Sequence, residues 1–346
     1  MSRVAKKSIL SFSNFFASSR QIISIKQQRG VHFFSTNARI KPHGGIPPYV
    51  YFLAGVPVAS GLYTYYRYLD EVPLTNRKRW IATSAGWERN LGNQEYRNLK
   101  RQFQKQTLPK DHRACVTVER VGTRVANAAR EFASIYNINY RAYLSDQPTF
   151  TIVRSEQANA FVLPGNHIFV MTGLFAYAQS EDELAAVLSH EMAHTLARHS
   201  GEKISSSFVT QLLARASLFI DPSGVLFSII LPTVGLLRDL PHSRTQESEA
   251  DRIGMHLASL ACYDPQAAQR VFERMKHDSD DDSKSPEFLS THPSHESRIQ
   301  HMGEWLPETR KIYRREGGHA CQNIRNEMER ARVIANQRHK ERETNL

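Results

Sequence analysis

His190 and His194 stand four residues apart in His190-Glu191-Met192-Ala193-His194, within a stretch rich in helix formers. On a helix that spacing puts both imidazoles on one face, one turn apart, where they can point at a single ion. With a glutamate directly after the first histidine, it is the spacing that grips zinc and lets a carboxylate reach a water held there. Glu191 is offset around the helix, which suits a base rather than a third ligand. A hydrolytic zinc site uses three protein ligands and keeps one position for water.

The third ligand must come from elsewhere in the chain. The strongest candidate is Glu247, in Gln246-Glu247-Ser248-Glu249-Ala250-Asp251. Glu247 and Asp251 are four apart and share a helix face. With Glu247 on the ion, Asp251 could accept a hydrogen bond from the second nitrogen of His190 and fix that ring. Glu249 competes for the ligand role, but it points to a different face from Asp251, which favours Glu247. The bland reading of all three is a solvated acidic helix.

Such a site would hydrolyse an amide. Zinc draws the pKa of water toward neutrality, and Glu191 would take the proton and hand it to the leaving amine. His292, on a loop stiffened by Pro293, is the candidate donor to the developing oxyanion, ahead of His242 and Arg244. His199 lies five beyond His194 and reads as a residue near a helix C-terminus, where positive charge is favoured.

The elements that must position these groups can be outlined. Ser180 followed by Glu183 is a capping box, so the motif helix starts there and ends near His199-Ser200-Gly201. Val116, Val118, Val121, Val125 and Ala128 predict an amphipathic helix over 116–132. Ile138–Leu144, Phe150–Val153 and His167–Met171 read as short strands, the last entered through a Gly165-Asn166 turn. Residues 203–240 read as two hydrophobic stretches broken at Asp221-Pro222-Ser223-Gly224. The second is interrupted by Pro232, and a separate helix is predicted over Gln246–Leu260. An acidic loop at 278–282 and an Arg/Glu-rich helix at 323–340 follow. The fold expected is α+β, a mainly helical metallopeptidase domain with a small mixed sheet beside the motif helix.

The formal charge of +11 over 346 residues does not indicate a nucleic-acid footprint. Nine Lys/Arg and no acid precede Asp70, so the remainder is close to neutral. Residues 1–40 interleave Arg3, Lys6, Lys7, Arg20, Lys26 and Arg29 with apolar residues, the pattern of a mitochondrial transit peptide. Residues 44–66 carry no charge and place tyrosines toward both ends, as a membrane anchor does. Residues 70–112 read as a polar, helix-prone linker, 113–305 as the metallopeptidase domain and 306–346 as a charged helical tail. Cys115, Cys262 and Cys321 are too few for a disulfide framework and read as ordinary thiols, with a redox-responsive pair in an oxidising compartment as the alternative.

Taken together, Asn159-Ala160-Phe161 with Leu163-Pro164-Gly165, Thr172-Gly173-Leu174, Ser180 through His194, Glu247 with Ala250-Asp251, and Ser290-Thr291-His292-Pro293 with Arg298-Ile299 form a specific set. Across roughly residues 75–305 the chain resembles the gluzincin peptidases that include the CAAX prenyl protease and the HtpX heat-shock peptidase. Within them it most resembles the Oma-type mitochondrial inner-membrane metalloendopeptidases. The resemblance implies one zinc ion per chain on His190, His194 and Glu247, with Glu191 as base. It also implies stress-triggered cleavage of inner-membrane proteins. An edge strand that binds substrate would be His167–Met171, with a buried structural strand as the alternative reading of those residues. Expected partners are inner-membrane protein substrates and the bilayer, with no nucleic acid; a homo-oligomer is left open. The expected location is the mitochondrial inner membrane, with the catalytic domain facing the intermembrane space. The alternative is a non-proteolytic zinc-binding scaffold or chaperone.

Overall fold

The computed structural model describes residues 48–138, 147–279, 286–292, 296–314 and 321–324, and positions 326, 330 and 333. The proposed transit segment, most of the Ile138–Leu144 strand, the 280–282 part of the acidic loop, Pro293 and most of the 323–340 helix lie outside them. Helix α1 spans Pro48–Arg67. Among the described residues no helix is long and apolar enough to cross a membrane. The chain divides into units at Pro57, and every site residue lies within Val58–Leu346.

Helix α4, Glu181–Leu196, carries the motif and is buried on nearly every face. A helix enclosed all round cannot show the one-sided stripe of a surface helix; its apolar residues are spread around the axis. Its start is fixed locally. Ser180 Oγ accepts from Glu183 N–H at 3.2 Å, and Glu183 Oε2 accepts from Ser180 N–H at 3.2 Å. Glu181, Asp182 and Glu183 fill the first turn, where negative charge is favoured. At the other end Arg198 adopts a left-handed conformation (φ 51°) and turns the chain into α5, His199–Ser217. Its guanidinium donates to Glu88 Oε1 at 2.6 Å and to Thr83 O at 2.7 Å, fastening the turn to the segment before it.

The 70–112 stretch, read as a helix-prone linker, holds a helix and also builds a hairpin around that turn. Strands β1 (Leu69–Glu71) and β2 (Lys78–Trp80) form an antiparallel hairpin. Helix α2, Ala85–Gln102, follows, capped by Ser84. Its Glu88 is buried against Arg198, a pairing that polar composition alone does not reveal. Helix α3, Arg113–Ile135, packs Val118, Val121, Val125, Ala129 and Phe132 into the same core as α4.

A three-stranded sheet lies beside α4 in the order β3 (Thr149–Val153), β5 (His167–Met171), β4 (Ala160–Leu163). Strand β5 pairs parallel with β3 and antiparallel with β4. His167–Met171 is therefore the central strand and not the edge expected from the sequence. Its Ile168, Phe169, Val170 and Met171 are all buried, as a strand covered on both faces requires. Among the described residues β4 pairs with no other strand, whereas β3 is partly covered by Thr107 and Leu108.

Helix α6 runs unbroken from Val225 to Leu260, joining two helices that the sequence reading separated. Pro232 and Pro241 each cost one backbone hydrogen bond, but their fixed φ is helical, and a helix this long carries them. Helices α7 (Ala267–Ser279), α8 (Glu287–Thr291) and α9 (Glu296–Arg314) complete the unit. Helix α9 runs across the boundary placed at residue 305. Cys262 and Cys321, read as ordinary thiols, are joined in a disulfide. They are 59 residues apart, and only the fold brings their Cα atoms to 5.1 Å. Cys115 is free and buried.

Helices α4 and α6 approach closely at Gly254. A Cβ built there would lie 3.0 Å from both His190 N and His190 Cα. Glu247, Asp251 and Gly254 follow at helical spacing along one stripe of α6, so this contact sets how far the acids stand from the histidines. Gly254→Ala should push the helices apart, lower stability by about 1–3 kcal/mol and weaken metal binding. Urea unfolding and metal titration of the variant check this; an unchanged metal affinity would show that the spacing tolerates the methyl group.

Candidate metal centre

The structure brings His190, His194, Glu247 and His292 together, with one ligand atom from each lying within 4.8 Å of the others. His190 and His194 come from α4, Glu247 from α6, and His292 from the C-terminal end of α8. His190 Nε2 and His194 Nε2 are 3.2 Å apart. Glu247 Oε2 is 3.3 Å from the first and Oε1 is 3.5 Å from the second. A tetrahedral zinc with ligands at 2.0–2.1 Å has ligand–ligand edges of roughly 3.3–3.4 Å. The two imidazole nitrogens match such an edge, and Glu247 presents one carboxylate oxygen to each of them at a similar separation, so the three side chains fit that ion.

Glu191 is buried next to this triad. Its Oε1 makes no hydrogen bond and lies 3.3 Å from His292 Nε2. Burial pushes its pKa up, against the pull of the His292 and His190 charges. An unsatisfied, basic carboxylate oxygen in a buried site is placed to take a proton from water. His292 Nδ1 lies 3.1 Å from Glu247 Oε2 and 3.4 Å from His190 Nε2. Arg244 is exposed and outside the cluster, and the His242 side chain lies outside the described residues.

Each histidine of the motif has its own support. His190 Nδ1 lies 2.9 Å from Asp251 Oδ1, and Asp251 receives two bonds of 2.7 Å from Arg298. Arg298 also reaches Glu247 Oε2 at 3.2 Å and the His292 carbonyl at 3.3 Å. Burial lowers the His190 pKa, but the Asp251 and Glu247 carboxylates outweigh it and push it up to about 9. Burial also drives the His194 pKa well below the ordinary value, and Glu247 only partly opposes this, so that ring is neutral. Burial alone would raise Glu247; the histidines around it hold it well below the usual carboxylate range.

On the other side, His194 Nδ1 is 2.8 Å from His199 Nδ1, and His199 Nε2 is 3.1 Å from Glu249 Oε2. His199 is not the exposed cation expected at a helix end: it is buried and its pKa is lowered by that burial. Glu249 is turned away from the triad. It accepts from Arg77 Nε at 2.7 Å and Nη2 at 3.0 Å, and from Thr75 Oγ1 at 3.1 Å. Arg77 also donates to Glu202 at 2.7 and 2.8 Å.

Sequence reasoning missed Arg77, Arg298, Glu249 and His199 in these parts. Helical spacing signals none of them. His199 is five residues beyond His194, and only the break at Arg198 swings it back onto that ring.

Glu202 and Glu249 add a pH dependence. Burial would raise both, but Arg77 and then Arg79 at Glu202, and His199 and then Arg77 at Glu249, bring each from 4.5 to about 2. A depressed folded-state pKa stabilises above the unfolded value and is lost as pH falls through the folded one. Urea midpoints should therefore drop between about pH 4.5 and pH 2, with the hairpin released early. A midpoint flat across that range would refute the contribution.

The comparisons decide the family. A profile of peptidase family M48 matches residues 123–306. The chain belongs to peptidase family M48. This M48 chain is 37% identical over 258 residues to the mitochondrial metalloendopeptidase OMA1 of Schizosaccharomyces pombe, covering 74% of the chain and 72% of that protein. It is 34% identical over 258 residues to the mitochondrial metalloendopeptidase OMA1 of Saccharomyces cerevisiae, covering 72% of each. A beta-barrel assembly-enhancing protease of Yersinia pestis is 33% identical over 165 residues, 43% of this chain and 32% of that protein. The M48 chain is thus a metalloendopeptidase, with a mainly helical α+β fold. The matched region holds the whole triad and Glu191, whereas the hairpin that carries Arg77 precedes it.

Proposed function

We propose that this chain is a zinc endopeptidase of the mitochondrial inner membrane that cleaves membrane proteins in quality control and the response to stress. The observation that carries the chemistry is the triad of 3.2, 3.3 and 3.5 Å edges with the unsatisfied Glu191 oxygen beside it. His190, His194 and Glu247 hold the metal. Bound zinc supplies Lewis acidity for the scissile carbonyl and lowers the pKa of water. Glu191 accepts the proton of the attacking water and returns it to the leaving nitrogen. His292, 3.3 Å from Glu191, donates to the oxyanion that develops. The open edge of β4, in place of His167–Met171, accepts the substrate backbone as an added strand.

The location rests on the mitochondrial relatives and on the acid-free N-terminus. The Cys262–Cys321 disulfide supports a catalytic unit facing the intermembrane space, because disulfides persist in oxidising compartments. The segment 44–66 is proposed as the attachment to the bilayer, and carbonate extraction of mitochondria tests it. Recovery of the protein in the soluble fraction would argue against it.

One observation favours the scaffold reading: His292 Nδ1 stands where a fourth ligand could complete a closed site. The two readings separate cleanly. One zinc per chain by elemental analysis, with cleavage of an unfolded polypeptide that stops on chelation and returns with zinc, supports the peptidase. Stoichiometric zinc without turnover supports the scaffold.

A further inference from the structure

We propose that Arg77, on the β1–β2 hairpin, is a positioning residue for the metal ligand His194, acting through Glu249 and His199. The inference rests on the reading of His190, His194 and Glu247 as zinc ligands. It adds a second support system that reaches outside the matched family region.

Arg77 carries only donors, and it presents three nitrogens to Glu249 and Glu202 through four bonds of 2.7–3.0 Å. Thr75 adds a hydroxyl at 3.1 Å. Both Glu249 oxygens are thereby used as acceptors, so His199 Nε2, at 3.1 Å, must bring the hydrogen. A neutral imidazole with hydrogen on Nε2 has a lone pair on Nδ1. That lone pair faces His194 Nδ1 at 2.8 Å and accepts its hydrogen. His194 is then left with its basic nitrogen at Nε2, the atom that faces His190 and Glu247. The proton order is set from the hairpin inward.

The same logic operates behind His190 with one fewer member. There a carboxylate and an arginine, Asp251 and Arg298, stand directly behind the ring. Behind His194 the His199 ring is inserted between imidazole and carboxylate, which extends the chain far enough to reach the hairpin. Ligand-orienting partners of this kind typically change metal affinity 10–100-fold when removed.

The hairpin is also joined to α1. Trp80 Nε1 donates to Thr64 O at 3.3 Å, and the Tyr68 and Trp80 rings meet edge to face.

The test is a double-mutant cycle on the full chain, with zinc affinity measured by chelator competition. His199→Leu and Arg77→Gln should each weaken zinc roughly 10–100-fold. The double variant should bind no more weakly than His199→Leu alone, because Arg77 acts through that ring. His199→Gln can donate to Glu249 and accept from His194, and should recover most of the affinity. If Arg77→Gln does not fold, Arg77→Lys, which keeps the charge without the fork, replaces it. An Arg77 variant that binds zinc like wild type, or losses that simply add, would overturn the proposal. Wild-type protein that binds no zinc would instead overturn the reading of the site, and the inference with it.

Discussion

The Glu191→Gln chain is expected to keep its metal and lose turnover by a factor of at least about 10²–10⁴, the range ascribed to a positioned general base. The side chains are nearly isosteric, so the buried site should not collapse. Glu191 lies outside the triad, and its Oε1 makes no hydrogen bond, although His292 Nε2 lies 3.3 Å from it. An amide nitrogen or oxygen in that place cannot take a proton from water near neutral pH. Burial already opposes charge on this carboxylate, so a neutral amide should leave Tm unchanged or raise it. The decisive result combines three measurements on one preparation: zinc per chain, Tm and cleavage rate. Full zinc and full stability with lost cleavage assign the base. Retained cleavage would remove Glu191 from the mechanism.

Much of this site could be read before any fold was known, and the reason is geometric. His190, Glu191 and His194 sit on one helix, and so do Glu247 and Asp251; within a helix, spacing is position. The capping box at Ser180 and Glu183 is likewise a local signal, and it starts α4 as the sequence reading placed it. What escaped notice depends on contacts between elements. Strand order is one case: His167–Met171 has the apolar run of a buried strand, but nothing in the run says which strands flank it. The polar 70–112 region is another. Its Arg77 and Glu88 look like solvated residues until Glu202, Glu249 and Arg198 arrive from later in the chain. The disulfide is a third, since no spacing rule links Cys262 to Cys321. Pro232 misled in the opposite direction, because a proline suggests a break, yet its fixed φ is itself helical and the helix runs on through it.

Asp251→Ala should do more damage than any other single change outside the ligands, because Asp251 serves two buried cations at once. Its side chain is fully buried, with Arg298 held by two 2.7 Å bonds and His190 Nδ1 at 2.9 Å. Removing it takes two bonds from the buried guanidinium and leaves it only Glu247 Oε2 at 3.2 Å and the His292 carbonyl at 3.3 Å among the contacts described, at a cost of up to about 3–5 kcal/mol. It also frees the His190 ring to rotate, at roughly 10–100-fold in metal affinity. Asp251→Asn separates the two effects: it keeps an acceptor for the ring but removes the charge. The charge matters to metal uptake as well. With a pKa of about 9, His190 in metal-free protein is protonated at neutral pH, so binding must expel that proton. Wild-type affinity should therefore rise about tenfold per pH unit between roughly pH 7 and 9 and level off above it. In Asp251→Asn the cause of the raised pKa is weakened, so calorimetry in buffers of different ionisation enthalpy should find fewer protons released on zinc binding at pH 7. Equal proton release in the two proteins would mean that Asp251 does not hold the charge on His190.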